Sequence, residues 1–225
     1  MLRIFIIISL SFIYSEDSYK DKLNNKIQIE CPGNIGCDCE TGNDCNNNNC
    51  IRIPKGGFCM PALGDEFPDF YSLNQFEELI SLRDIDTNGK YVMIEMGTTW
   101  CAPCNVLASW LTWGDNEIEN KKWWKPEYSR IKTLINDNKV MIITVLYENE
   151  HRENVNYETV YEWYENFPDE NTIILSDNNK ELHKWLKPTG IPAITLLDSN
   201  MKVIVYTNRG LNIAFDKLLE LTDEK

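Results

Sequence analysis

The chain is short of histidine and of positive charge. His151 and His183 are its only histidines, and both stand alone in polar stretches, so neither completes a zinc site nor is assigned a role. Lys and Arg number 22 against 35 Asp and Glu, a formal charge of −13. That balance excludes nucleic acid as a partner, because phosphate binding needs a basic stripe. No Lys/Arg cluster offers a polybasic membrane patch either, and the acidity is read as serving solubility. No internal repeat is visible. No Asn-x-Ser/Thr sequon occurs despite many Asn, which favours a bacterial envelope over a eukaryotic secretory route.

Long apolar runs are missing as well. The one candidate, Ile4 to Ile13, falls well short of the ~20 residues that span a bilayer. It follows a positive start, Met1-Leu2-Arg3, and gives way at Ser15 to a polar stretch, the order of a secretory signal peptide over residues 1–15. An uncleaved N-terminal anchor is the alternative. Export to a secreted or periplasmic location is expected, without strong membrane association after cleavage.

Cysteine is abundant and unevenly placed. Cys31, Cys37, Cys39, Cys45, Cys50 and Cys59 crowd one segment, and Cys101 and Cys104 stand apart. An even number of closely spaced cysteines in an exported chain reads as a disulfide framework, whose pairing the sequence leaves open. A zinc cluster would want Cys-x2-Cys knuckles or interleaved His, which this window lacks. The segment has few large apolar side chains, so cross-links must hold it.

The expected organisation is a signal peptide (1–15), a polar lead-in (16–30), a stapled module (31–61) and a larger domain (62–225). Seven Trp, ten Tyr and eight Phe supply that domain with a core. Residues 75–83 read as a helix or a hairpin arm. Tyr91–Met96 and Val140–Leu146 read as buried strands, with a third at Thr172–Leu175. Helical spacing follows Cys101 and recurs over Trp123–Asn136, Thr159–Asn166, Lys180–Leu186 and Ile213–Leu221. Ala193–Leu197 and Val203–Tyr206 form a hairpin. Strands alternating with helices predict an α/β sheet covered on both faces. Asp84 to Glu95 matches a calcium-loop pattern literally, but a strand rather than a helix follows it, so calcium is not expected there. Trp110, Trp113, Trp123 and Trp124 are expected in the core or at its rim.

The sharpest feature is Trp100-Cys101-Ala102-Pro103-Cys104, at the junction of a predicted strand and a predicted helix. A thiolate, not a thiol, attacks a disulfide, and the free N–H groups at a helix start stabilise it. Cys101 is therefore the expected exposed nucleophile. Cys104, one turn on, resolves the mixed disulfide. Pro103 is tolerated because first-turn N–H groups lack helical partners. A structural Cys101–Cys104 disulfide or half a zinc site is the bland alternative.

These residues resemble the thioredoxin superfamily. Trp-Cys-Ala-Pro-Cys stands where that family has Trp-Cys-x-Pro-Cys, with Ala102 for the commoner Gly. Gly190-Ile191-Pro192 is similar to its cis-proline segment, and Glu95 stands at the place of its buried acid. Gly64, Phe67-Pro68-Asp69-Phe70 and Gly89-Lys90 resemble the redoxin branch, which includes bacterial envelope thiol reductases. The resemblance covers about residues 64–222 and has no counterpart for the Cys-rich segment. It implies a thioredoxin-like α/β fold and thiol–disulfide exchange. Pro192 would let the backbone of Ile191 pair with a bound substrate chain. Glu95 would take the proton of Cys104. Trp100, Ala102 and Pro103 would shape the docking surface, with plain packing the alternative for Trp100.

The expected activity is reduction of protein disulfides. No cofactor or metal is expected beyond the Cys101–Cys104 redox pair. The partners would be disulfide-containing proteins and an upstream thiol donor. Oxidase or isomerase activity stays open, as does a non-enzymatic interaction protein using the domain as scaffold. A peroxidatic site would want a lone cysteine in a Thr/Pro-lined turn, which is not found.

Overall fold

The computed structural model describes residues 27–223. The expected signal peptide and most of the expected lead-in lie outside the described residues. The end of the lead-in lies within the fold, since Ile27 and Ile29 pack against the sheet's apolar face.

The Cys-rich segment folds around a hairpin, β1 (Cys50–Ile53) and β2 (Gly56–Cys59). The pairing that the sequence leaves open is Cys31–Cys37, Cys39–Cys50 and Cys45–Cys59. The sulfurs themselves form the interior, with Cys39, Cys45 and Cys59 buried against one another. Closing loops of this size removes roughly 2–3 kcal/mol of unfolded-state freedom each. The segment is seated on the rest of the chain. Ile35 packs on the same apolar face as Ile27, and Asn47 Nδ2 donates to Asp65 Oδ2 at 2.6 Å. Met60, fully buried, meets the hydroxyl of Tyr206 at 3.5 Å.

A short hairpin follows, β3 (Tyr71–Leu73) and β4 (Leu79–Ser81), and then a five-stranded sheet in the order β7-β6-β5-β8-β9. Its strands are β5 (Tyr91–Gly97), β6 (Val140–Leu146), β7 (Thr172–Ser176), β8 (Ala193–Leu197) and β9 (Val203–Val205). Strands β5, β6 and β7 run parallel, while β8 and β9 are antiparallel to their neighbours. The helices are α1 (Ala102–Trp113), α2 (Ser129–Asn136), α3 (Tyr157–Asn166), α4 (Glu181–Leu186) and α5 (Asn212–Asp223). Near-continuous apolar runs in β5 and β6 demand cover on both faces. One face, through Met93, Ile142 and Ile194, meets Leu107, Trp110, Ile131 and Phe215 of the helices. The other, through Ile94, Ile143 and Leu175, meets Phe67, Leu82, Leu182 and Trp185.

One segment takes one of its two expected forms, and another departs from its own. Residues 75–83 choose the hairpin arm because Gln75 is consumed elsewhere. Its buried amide donates to Thr172 O at 2.8 Å and accepts from Ile174 N at 2.9 Å, pairing edge strand β7 as a neighbouring strand would. The helix expected over Trp123–Asn136 begins only at Ser129. Lys125, which precedes Pro126, is held extended (φ −114°, ψ 138°), as a pre-proline residue prefers, and a single 3-10 turn intervenes. His183 also departs from its expected surface place. It is half-buried, with its ring 4.4 Å from that of Tyr147. Burial and the charge of Lys180 push its pKa down to about 4. Of the tryptophans, Trp110 is core, whereas Trp113 and Trp123 are exposed.

Candidate active site

Strand β5 delivers the chain to the site. It ends at Gly97, Thr98–Trp100 turns, and α1 starts at Ala102 with Cys101 as its N-cap. The amide of Cys104 donates to Cys101 Sγ at 3.2 Å, so the sulfur takes the place that a capping oxygen usually holds. Pro103, in the first turn, leaves no donor stranded. Asn105 clamps the turn, its side-chain amide donating to Cys101 O at 2.8 Å and to Thr99 O at 3.0 Å. Cys101 and Cys104 are joined as a disulfide.

The sulfur pair is not exposed, which corrects the expectation for Cys101. Cys101 is 2% accessible and Cys104 fully buried. Leu146, Val155, Val160, Trp163 and Ile174 pack with them, and Ile191 lies against the cluster. The segment after β6 thus covers the nucleophile's end of the helix. Between the two cysteines Ala102 and Pro103 are exposed, so the motif reaches the surface through its middle residues.

Glu95 lies behind the pair on β5. It is 3% exposed, and Thr144 Oγ1, opposite it on β6, donates to Oε2 at 2.8 Å. Oε1 has no partner. Burial pushes the carboxyl up to about 7 against the opposing pull of the Thr144 bond. A methyl group placed on Gly97 would sit 3.3 Å from Glu95 Oε1 and 3.5 Å from Cys104 Sγ, so glycine keeps open the gap between acid and inner sulfur. The Ile191–Pro192 peptide bond is cis. Pro192 is buried, and its carbonyl accepts from Gly210 N at 2.8 Å.

Trp100 has partners that no sequence pattern announces. Its indole N–H donates to Glu148 Oε2 at 3.1 Å, and the Arg152 guanidinium lies 4.0 Å from its ring centre. Lys180 Nζ reaches Glu148 Oε1 at 2.7 Å. Burial raises the Glu148 carboxyl, but the bonds from Lys180 and Trp100 outweigh it and hold it below the usual range. Thr144, Asn105, Glu148 and Arg152 were absent from the expected site. Only register across β5 and β6 could have pointed to Thr144, because register puts it opposite Glu95. Elsewhere, the sulfurs of Cys39, Cys45 and Cys59 lie within 4.8 Å of one another, each engaged in a disulfide.

A mixed sheet in this order, a Cys-x-x-Cys disulfide at the start of α1, and a cis-proline beside it together define a thioredoxin-like fold, here preceded by a disulfide-rich module. Solved structures share that fold. A thioredoxin-like protein from Bacteroides caccae superposes with a TM-score of 0.51 at 13% identity, over 72% of this chain and 50% of that one. The chain thus spans half the length of that structure. A conserved protein of unknown function from Bacteroides fragilis gives 0.51 at 13% identity, over 70% of this chain and 98% of its own. The C-terminal domain of an uncharacterized Bacteroides fragilis protein gives 0.50 at 13%, over 70% and 97%. No protein-family profile matches the sequence, and no curated protein matches it. Among the described residues no helix is long and apolar enough to cross a membrane.

Proposed function

We propose that the chain is an extracytoplasmic thiol–disulfide oxidoreductase that reduces protein disulfides through Cys101 and Cys104. The observation that carries this reading is the Cys104 N–H donated to Cys101 Sγ at the N-terminus of α1, a helix of 12 residues. That donor and the positive end of α1 favour the ionised sulfur once the pair is reduced. In the reduced enzyme the Cys101 thiolate attacks one sulfur of a substrate disulfide and expels the other as a thiolate. Cys104 then loses its proton to the Glu95 carboxylate and attacks Cys101 Sγ. The Cys101–Cys104 disulfide forms, and the second substrate thiol leaves. Two electrons pass to the substrate, and an upstream dithiol must return them. An acid with a pKa near the working pH suits that proton transfer.

The placement of Ile191 against the sulfur cluster supports its role, with cis-Pro192, as the ledge on which a substrate backbone lies. Trp100, Ala102 and Pro103 would form the facing surface. Residues 31–61 are read as the stapled module and 62–225 as the redox domain. The three disulfides of the module and the apolar N-terminal run support an oxidising compartment outside the cytosol.

The test is a trap. Cys104→Ser cannot resolve, so it should accumulate mixed disulfides through Cys101, while Cys101→Ser should accumulate none. The wild type should reduce a small disulfide such as hydroxyethyl disulfide when supplied with a dithiol. If Cys104→Ser captures nothing and the wild type is inert, the domain is a scaffold and the reading fails.

A further inference from the structure

The Cys-rich module lends one wall to a pocket that no step above uses. A cavity of ≈ 410 Å³ lies between the β1–β2 hairpin and the end of α4. Ile53, Pro54 and Phe58 line it from the module, with Pro188 and Thr189 from the other side. Around this apolar lining stand Lys55, Lys184 and Lys187, a cationic group on a chain whose formal charge is −13. Lys184 is paired with Glu181 at 3.0 Å. The other two form no ion pair among the described residues, although the charge of Asp38 reaches Lys187. Lys55 is exposed without an ion pair or hydrogen bond, and Lys187 Nζ lies 4.3 Å over the ring of Phe58. Burial holds Lys187 below the usual lysine range, opposed by the charge of Asp38 and reinforced by that of Lys55. An apolar lining ringed by lysines, two of them outside any ion pair among the described residues, selects an anionic partner with apolar side chains.

The pocket's position adds the second argument. Thr189 lines it, and Ile191, two residues on, packs against the Cys101–Cys104 cluster. Two residues of extended backbone reach at most about 7 Å. A polypeptide lying along Ile191 toward the sulfurs would therefore run into the pocket within a few residues.

We propose that this pocket docks an acidic segment of the substrate polypeptide, a few residues from the disulfide being reduced, so that the module acts as a specificity element. The proposal rests on the reading of Cys101 and Cys104 as a redox pair, but its test needs no turnover. The probe is a fluorescent peptide closed by one disulfide and flanked on one side by Glu and Phe. Companion peptides carry Gln or Lys in place of Glu. Binding to the oxidised full-length chain is followed by anisotropy at low and at high salt.

The acidic peptide should bind roughly tenfold tighter than the Gln peptide, with the difference shrinking at high salt. Lys55→Glu combined with Lys187→Glu should remove that preference. Lys122→Glu combined with Lys139→Glu, which changes net charge equally at distant exposed positions, should keep it. Lys55→Glu alone, at an exposed position, should weaken acidic-peptide binding several-fold. Equal binding of Glu and Gln peptides would overturn the docking proposal, as would equal losses in the pocket and control variants. Failure of the wild type to reduce hydroxyethyl disulfide would instead overturn the redox reading, whatever the peptides do.

Discussion

Thr144 Oγ1 donates to Glu95 Oε2 across the parallel β5–β6 pair, and Glu95 Oε1 is left buried without a partner on the side of Cys104. One bond is enough to fix the carboxyl's orientation and too little to offset its desolvation. The group therefore holds its proton to about pH 7 instead of releasing it near 4.5. A fully solvated Glu would be ionised throughout the working range and could not alternate between donor and acceptor.

That shift has a stability signature. Below pH 4.5 Glu95 is protonated in the folded and unfolded chains alike and has no effect. Between 4.5 and about 7 the unfolded chain releases the proton while the folded chain keeps it, so stability falls as pH rises. The slope is at most about 1.4 kcal/mol per pH unit, and the loss levels off above the folded pKa. Glu95→Gln should abolish this slope and keep a Thr144 partner. Asp177, buried and pushed up to about 6, adds a similar fall at lower pH in both proteins, so the difference between them isolates Glu95. Urea denaturation of the oxidised proteins across this range checks it, and equal slopes would refute the buried-acid account.

Gly97→Ala tests the gap between acid and sulfur. The 3.3 Å contact to Glu95 Oε1 is tight for a carbon, so the carboxyl must give by a few tenths of an ångström, while 3.5 Å to Cys104 Sγ is ordinary contact. Overpacking of this kind costs about 1–3 kcal/mol. The expected result is a modest loss of stability, with resolution by Cys104 slowed more than the first attack by Cys101. Stopped-flow mixing of the reduced variant with a peptide disulfide separates the two steps. A variant that resolves at the wild-type rate would show that nothing crosses this gap.

The sheet was legible in the sequence because its strands are apolar runs too short for anything else, and β6 matches its expected bounds of Val140 and Leu146. The cysteine pair was legible because strand, motif and helix follow one another without a break. What escaped was tertiary. Gln75 is polar and sits in a helix-compatible stretch, and only the presence of β7 beside it makes a strand-like role possible. The exposure of Cys101 could not be read from its position on α1, because its cover comes from residues as distant as Val155 and Ile191. The pairing of six cysteines is likewise a property of how the hairpin closes, since Cys50 and Cys59 are opposite each other in register yet each bonds elsewhere.

Ile191→Ala should separate access from recognition. Ile191 is half-buried and lies over the sulfur cluster, so its truncation opens a path to Cys101. The disulfide of the oxidised variant should react several-fold faster with a small phosphine. Docking of a peptide along the ledge should weaken by about 1 kcal/mol, the scale of the lost apolar contact. Opposite changes in the two assays are the expected result. A parallel loss in both would mean that the substitution has merely disordered the loop.

Cys45–Cys59 closes a separation of 14 residues and anchors β2, whose Phe58 forms a wall of the lysine-ringed pocket. Replacing both cysteines by Ser should destabilise the segment by about 3 kcal/mol, because a loop of that length regains its freedom in the unfolded state. The five-stranded sheet gains nothing from that bond directly, since its two apolar clusters are built from residues outside the hairpin. Thermal unfolding followed by near-ultraviolet circular dichroism should therefore keep the tryptophan transition near its original midpoint. Limited proteolysis should open residues 45–59 first, and the acidic-peptide preference should vanish while hydroxyethyl disulfide is still reduced. If instead the whole chain melts early and turnover goes with it, module and sheet form one cooperative unit, and division into a specificity element and a redox domain is wrong.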